Sequence, residues 1–247
     1  MVEAIVVAAT LAIGVLIGCV GIGGVLLVPA LAFIGGIPIH TAIAAAMFGY
    51  LFSGASATVI YARKGSIDWS ASVWLWAGAM PAAFAGALVV PYVGARFLEA
   101  LIALLVLFAG FRAFRSRRDI EATRTLSNPE LAGLGAFVGF GSAMTGTGGP
   151  LILVPLLVWL RQPILTTIGL SQAIQLPIAV LATAGNVLSG TLDLALGALL
   201  SGALLVGSAA GAWLAHAVPT IFLTRFVGVL MLFVGVFILA RLSGLAI

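Results

Sequence analysis

Apolar residues occupy this chain in long unbroken runs, and most polar residues fall between the runs. Runs of about 18 or more apolar residues are typical of membrane-spanning helices, whereas a soluble helix shows one apolar face. The fold class we expect is therefore an all-α polytopic membrane protein in a lipid bilayer. The pattern predicts eight spans, near residues 2–20 with a continuation through 25–36, 39–62, 69–91, 95–113, 130–160, 164–188, 194–217 and 220–243.

Two glycine-rich breaks interrupt the first and the fifth of these spans. The segment GIGGVLLVP covers residues 21–29, and GTGGPLILVP covers residues 146–155. Glycine permits turns, and an unwound backbone at membrane depth survives only where protein or a water-filled cavity surrounds it. We expect each break to be a kink within one span. A re-entrant turn is the alternative, and it would change the number of crossings.

The two breaks belong to an internal repeat, because a shift of 125 positions aligns the halves of the chain. The pairs that coincide are Gly21 with Gly146, Gly23 with Gly148, Gly24 with Gly149 and Asp68 with Asp193. We expect a first transmembrane repeat at 1–113, a cytoplasmic Arg-rich linker at 114–128 and a second repeat at 129–247. Four spans in each half would give both repeats the same orientation. Asp68 and Asp193 each precede a span and are expected to cap it.

Composition and charge narrow the class of protein. The chain is 63% hydrophobic and 7% charged, with a mean hydropathy of +1.29, and this excludes an ordinary soluble domain. Five of the eleven basic residues lie in FRAFRSRRDIEATR, residues 111–124. A basic loop between spans is typical of the cytoplasmic side, so we expect no nucleic-acid partner. In the cytoplasmic (inner) membrane, alternation then places both termini on the cytoplasmic side too, with eight basic residues inside and three outside.

The breaks also suggest a binding site. A helix that starts after a break presents unpaired N–H groups and the positive end of its dipole, and two such ends can hold an anion without lysine or arginine. The candidate substrate-binding residues are Gly21, Gly23, Gly24, Tyr50, Ser53, Thr145, Gly146, Thr147, Gly148, Gly149, Gln172, Gln175 and Asn186. The competing interpretation is that the glycines allow close helix packing and the polar groups join neighbouring helices.

The sequence shows no metal-ligand spacing, nucleophile–base pair or phosphate-loop lysine. We therefore expect neither an enzyme nor a cofactor. The single cysteine leaves no internal disulfide. A homo-oligomer is compatible with the sequence, which carries no feature that decides it.

Three stretches carry a family resemblance: VGIGGVLLVPAL at 20–31, GTGGPLILVPLL at 146–157 and SQAIQLPIAVLATAGNVLSGTLDL at 171–194. Together they resemble the TauE/SafE sulfite exporter family, over nearly the whole chain. The resemblance implies two four-span halves and export of sulfite or an organosulfonate across the cytoplasmic membrane. An importer of a related small anion stays open, as does a membrane assembly factor or enzyme. GGVLLVP in the first half differs from GGPLILVP in the second, so unequal half-sites are expected.

Overall fold

The computed structural model describes residues 2–20, 23–63, 65, 67–113, 126–162, 164–214 and 220–244, and every regular element in these ranges is a helix. The all-α prediction is confirmed. The elements are α1 (Val2–Val20), a 3-10 turn (Gly23–Leu26), α2 (Leu27–Pro29), a π turn (Ala30–Ile34), α3 (Ile39–Arg63), α4 (Trp69–Val89), a 3-10 turn (Val90–Tyr92), α5 (Ala95–Ala113), α6 (Asn128–Thr145), α7 (Pro150–Trp159), α8 (Ile164–Leu188), α9 (Leu194–Leu214) and α10 (Thr220–Leu242).

Several of these helices are suited to a bilayer. Among the described residues, four are long and apolar enough to cross a membrane: Ile39–Arg63, Trp69–Tyr92, Gly169–Leu188 and Leu194–Gly211. Shorter apolar helices cover Ala4–Gly18, Gly24–Ile34 and Gly228–Leu242. Large apolar side chains such as Phe137 and Phe233 are exposed on the outer faces of their helices. In water such faces would be costly, whereas in lipid they are solvated, and the chain is a polytopic membrane protein.

The helices begin where local chemistry favours a start. The carboxylate of Asp68 accepts from the amide of Ala71 at 3.1 Å, and that of Asp193 accepts from Leu196 at 3.0 Å. Both aspartates satisfy one of the unpaired amides at a helix N-terminus. The predicted capping role of both residues is confirmed.

Helices α4 and α6 run parallel, with their backbones in close approach. Gly135 lies against Leu75, and Gly139 lies against Ala79, so residue numbers increase in the same direction along both helices. A Cβ on either glycine would overlap a carbonyl oxygen of α4. Small residues at such a contact let two membrane helices pack closely.

Helices α1 and α9 form a second parallel pair of the same kind. Gly207 lies against Leu11 and Gly211 lies against Val15. Two other pairs run antiparallel, α3 with α8 and α5 with α10. The opposed residues are Ser53 with Gln175 and Thr58 with Gln172 in the first of these pairs, and Gly110 with Gly228 and Leu107 with Gly235 in the second.

These directions show that the chain reverses at both glycine breaks. Helix α9 is antiparallel to its predecessor α8 and therefore parallel to α3, so α1 and α3 point the same way. The segment between them, residues 23–34, must run back along α1. A Cβ built on Gly35 would accordingly lie 3.1 Å from Cγ2 of Val6, near the start of α1. The expected kink is wrong, and the first break is a re-entrant turn.

The second break reverses the chain in the same manner. Helices α6 and α8 are both antiparallel to α3 and therefore point in the same direction. The chain between them, which forms α7, must run in the opposite direction. Gly146, Gly148 and Gly149 have φ of +68°, +77° and +108°, and Gly146 ends α6 in the left-handed conformation. Only glycine adopts such angles without strain, so three of them in four residues turn the helix around.

The reversals invert one half of the bundle relative to the other. In the first half, α1, α3 and α5 point in one direction and α4 points in the other. In the second half, α9 points in the direction of α1, and α6, α8 and α10 are antiparallel to it. The expectation of equally oriented halves is therefore wrong. The division at 1–113 and 129–247 itself stays a prediction, and most of the linker lies outside the described residues.

The two ends of the bundle hold different parts of the chain. Arg241 near the end of α10 lies over the Phe33 ring, 4.8 Å from its centroid, beside the start of α1. We call this the terminal end. Helix α5 ends and α6 begins at the opposite end, which we call the linker end. The prediction that both termini and the linker share the cytoplasmic side is wrong. The reversal leaves each half with an odd number of membrane crossings, so the linker lies on the side opposite the two termini.

Cysteine labelling tests this topology. In a Cys19→Ser background, Asn128→Cys at the linker end and Ser243→Cys at the terminal end place thiols at exposed positions. A membrane-impermeant maleimide added to intact cells is expected to label only one of the two. Labelling of both from the same side would contradict the reversed directions.

The close contact of α4 and α6 gives a stability prediction. Gly135→Leu would force the two backbones apart, and overpacking of this kind costs about 1–3 kcal/mol or more. The measurement is the thermal unfolding temperature in detergent. Gly133→Leu is the matched control, since a Cβ on Gly133 of the same helix meets nothing within 4 Å. Equal loss in both variants would show that the contact has no special role.

Candidate functional site

A narrow pocket lies where the two glycine turns approach each other. Its free volume is about 10 Å³ in this conformation, which is room for about one water molecule. Helices α1, α3, α7 and α8 all contribute, so both halves build it. The lining residues are Ile17, Gly24, Tyr50, Thr147, Pro150, Leu151 and Gln175.

Tyr50 fills the space between the two turns. Its hydroxyl donates to the carbonyl oxygen of Gly24 at 2.5 Å, and the side chain is buried. On its other side, a Cβ built on Gly148 would lie 3.1 Å from Cδ2 of the ring. The phenol hydroxyl therefore ties the first turn to α3. It also explains why the second turn needs glycine beside it.

Gln175 occupies the position that the repeat equates with Tyr50, 125 residues later. Its Nε2 donates to Oγ of Ser53 at 3.3 Å, which joins α8 to α3 beside the pocket. A carboxamide nitrogen carries two hydrogens, so this bond leaves one donor for a solute. The repeat thus places an aromatic hydroxyl on one side of the pocket and a carboxamide on the other.

Two threonine hydroxyls lie at the second turn. Thr145 donates to the carbonyl of Gly141 at 2.7 Å, and its oxygen lies 3.1 Å from Oγ1 of Thr147. Because Thr145 has a single hydroxyl hydrogen, Thr147 donates to Thr145 in this arrangement. Thr147 can redirect that hydrogen toward a bound solute without breaking the fold of α6.

The start of α7 supplies backbone donors. The amides of Ile152 and Leu153 both donate to the carbonyl of Gly149, at 3.1 and 3.0 Å. Among the described residues, the amides of Gly148, Gly149 and Leu151 have no backbone acceptor. Pro150 has no N–H to satisfy, which suits the first position of a helix. With the dipole of a ten-residue helix behind it, this end attracts negative charge.

The first turn is built differently. Gly23 opens a 3-10 turn, and α2 is only three residues long before the π turn begins. Gly21 lies outside the described residues. Of the two expected half-helix N-termini, only that of α7 is a regular helix end in the described part of the chain. The predicted inequality of the half-sites agrees with this difference.

The remaining candidate residues are divided between the pocket and its surroundings. A Cβ built on Gly146 would reach Cγ2 of Val28, so this glycine marks where the second turn touches the return segment of the first half. Gln172 lies one turn from Gln175 and does not line the pocket. Asn186 is about 17 Å farther along α8, where its Oδ1 accepts from Thr191 at 3.4 Å.

Sequence reasoning missed the apolar lining residues. Ile17 and Leu151 were absent from the candidate set because their neighbours are equally apolar. A reversal at each break would have placed both beside the glycines. A second missed feature is Trp76, whose Nε1 donates to the carbonyl of Ala173 at 3.1 Å. Pro177, four residues on, has no N–H for that carbonyl, so the free acceptor was visible in the sequence although its partner was not.

An inverted pair of helical units with re-entrant turns that meet at a pocket is the architecture of a membrane transporter. The family model described as "Sulfite exporter TauE/SafE" matches residues 6–238, and the chain belongs to this family.

The chain is also similar to the "Probable membrane transporter protein YdhB" of Bacillus subtilis (strain 168). The two are 25% identical over 240 residues, which cover 90% of this chain and 96% of that protein. No solved structure matches. Both names point to a transporter rather than an enzyme. Within the described ranges, no group of three or more His, Cys, Asp and Glu side chains is placed to hold a metal ion.

Removal of the Tyr50 hydroxyl tests how much the first turn depends on it. Tyr50→Phe removes the hydrogen bond to the part-buried carbonyl of Gly24, and a hydrogen bond of this kind contributes about 0.5–1.5 kcal/mol. A lower thermal unfolding temperature in detergent is expected. Tyr92→Phe is the control, since the side chain of Tyr92 is 90% exposed. An unchanged unfolding temperature in Tyr50→Phe would show that the bond does not hold the turn.

Proposed function

We propose that this protein exports a small sulfur-containing oxyanion, sulfite or an organosulfonate, through the pocket between the glycine turns. The observation that supports the proposal most strongly is the chemistry of the lining. It combines the hydroxyl of Thr147, the carboxamide of Gln175 and the amide end of α7 at Leu151, and among the described residues none of the lining side chains is charged. Such a set recognises negative oxygens through hydrogen bonds and the dipole of α7.

Neutral donors suit a transporter because the solute must leave again. A buried arginine or lysine would hold an anion tightly and would be left unpaired in the empty protein. Amide and hydroxyl donors can instead bond to water or to each other between transport cycles, as Thr147 does with Thr145. The site therefore favours passage over retention.

The shape of the pocket favours a small ligand. Its polar groups lie toward Thr147 and Gln175, while Ile17 and Leu151 give it apolar walls. Sulfite presents three oxygens to donors. An organosulfonate presents the same oxygens and adds a carbon group that apolar walls accept. We infer that the oxygens face α7 and α8.

We infer from charge that the linker end faces the cytoplasm. Helix ends and connecting segments at that end carry nine of the eleven basic residues, and the terminal end carries Arg96 and Arg241. The positive-inside rule favours the end with the excess. A cell interior that is negative then favours exit of an anion by about 2.3 kcal/mol per charge per 100 mV. Export along this field needs no ATP.

A flux assay tests the proposed function. Uptake of labelled sulfite into inside-out vesicles is measured for wild-type protein and for Gln175→Leu. A hydrogen bond to a charged group contributes about 1.5–3 kcal/mol, so uptake is expected to fall by about tenfold or more. Gln162→Leu is the matched control, because Gln162 lies in the loop after α7 and does not line the pocket.

Two results would contradict the proposal. Wild-type vesicles that take up no more sulfite or organosulfonate than empty ones would exclude this substrate class. Uptake by Gln175→Leu within twofold of wild type would show that the pocket is not on the transport route. Thr147→Val provides an independent second variant at the second glycine turn.

A further inference from the structure

Polar side chains recur at equal intervals beyond the pocket in both halves. On α8, Thr183 and Asn186 lie 8 and 11 residues after Gln175. On α3, Thr58 and Tyr61 lie 8 and 11 residues after Tyr50. Eleven residues are three helical turns plus about 20°, so the outer group stays on the face of the pocket residue. Because the halves are inverted, one pair lies toward the linker end and the other toward the terminal end.

The two pairs differ in burial. Thr58 and Tyr61 are partly exposed. Thr183 is 8% exposed and Asn186 is fully buried at 0%. The alanines between pocket and outer pair show the same difference, since Ala57 is partly exposed and Ala182 is buried. Along this face, the pair toward the linker end (the open pair) is thus less covered by protein than the pair toward the terminal end (the closed pair).

The closed pair contains donors without partners. Among the described residues, Nδ2 of Asn186 and Oγ1 of Thr183 are buried and form no hydrogen bond. A buried donor without an acceptor costs about 1–3 kcal/mol. By contrast, Thr58 in the open pair donates to the carbonyl of Gln172 at 3.3 Å. Two unsatisfied donors on one face, one turn apart, are a cost that an acceptor group in this place would remove.

We propose that Thr183 and Asn186 form a second binding step for the transported oxyanion, on the terminal side of the pocket. This step rests on the proposed function and uses the same chemistry, N–H and O–H donors without charge. It is closed in the present conformation. When the terminal side opens, the anion leaves Gln175 and meets these two donors about two and three turns farther along α8.

The seam between the two sites is lined by small side chains. Ala179 and Ala182 share the face of Gln175 on α8, and Ala42 and Ala46 share the face of Ser53 on α3, which is antiparallel to it. Methyl groups block the route in the closed state but present little bulk once the helices separate. A modest widening between α3 and α8 is therefore sufficient to connect pocket and second step.

Flux and binding measured together test the proposal. Asn186→Leu and Thr183→Val are each expected to lower sulfite flux in proteoliposomes by about tenfold, while sulfite binding to detergent-solubilised protein stays within twofold of wild type. A purely structural role would lower folded yield and binding as well. Thr167→Val is the matched control, since Thr167 is another buried α8 hydroxyl without a hydrogen bond but lies on a different face. Thr183→Val keeps the side-chain shape and covers the case in which Asn186→Leu fails to fold.

The outcomes separate this proposal from the function on which it rests. Flux within twofold of wild type in folded Thr183→Val and Asn186→Leu, with flux lost in Gln175→Leu, would overturn the second step and leave the exporter intact. Absence of wild-type flux would overturn both. A thiol at Ala57 or at Ala182, in the Cys19→Ser background, gives a readout that needs no substrate. An anionic methanethiosulfonate is expected to modify Ala57→Cys at least tenfold faster, and equal rates would contradict the closed terminal side.

Discussion

Hydrogen bonding of the backbone within the membrane is the constraint on which this structure depends. A chain that turns back at membrane depth leaves amides and carbonyls without helical partners, and lipid offers none. Here Ser142 accepts from the amides of Gly146 and Thr147, and Tyr50 donates to Gly24. Turns satisfied in this way can lie inside the bundle, and α7 begins beside the pocket, which Pro150 and Leu151 line.

The reversed turns decide the remaining architecture. Because each half turns back once, α1 comes to lie parallel to α9 and α6 parallel to α4. Parallel helices can approach closely over their whole length only where side chains are small. The glycines at the two contacts, among them Gly135 and Gly207, meet this requirement. The same reversals carry Gly24 and Thr147 from distant parts of the sequence to one pocket.

The sequence was sufficient to predict the helices but not their directions. Apolar runs and the caps at Asp68 and Asp193 located the helix bounds, because those signals are local. Direction after a glycine break is not local, since the same residues permit a kink or a reversal. Length carried the missing signal. A continuous helix over residues 2–36 would measure about 50 Å, against a hydrocarbon core of about 30 Å. A reversal resolves that excess and a kink does not.

The candidate site was predictable in its chemistry and only partly in its membership. Glycines with nearby Gln175, Tyr50 and Thr147 were recognisable because polar groups are rare in these spans. Helical phase placed Asn186 on the correct face, yet phase gives no depth, and the residue lies three turns from the pocket. The repeat also explains why Tyr50 and Gln175 differ. Equivalent positions of the repeat carry a phenol in one half and a carboxamide in the other, and the two turns also differ in backbone structure, so the two sides of the pocket are unequal.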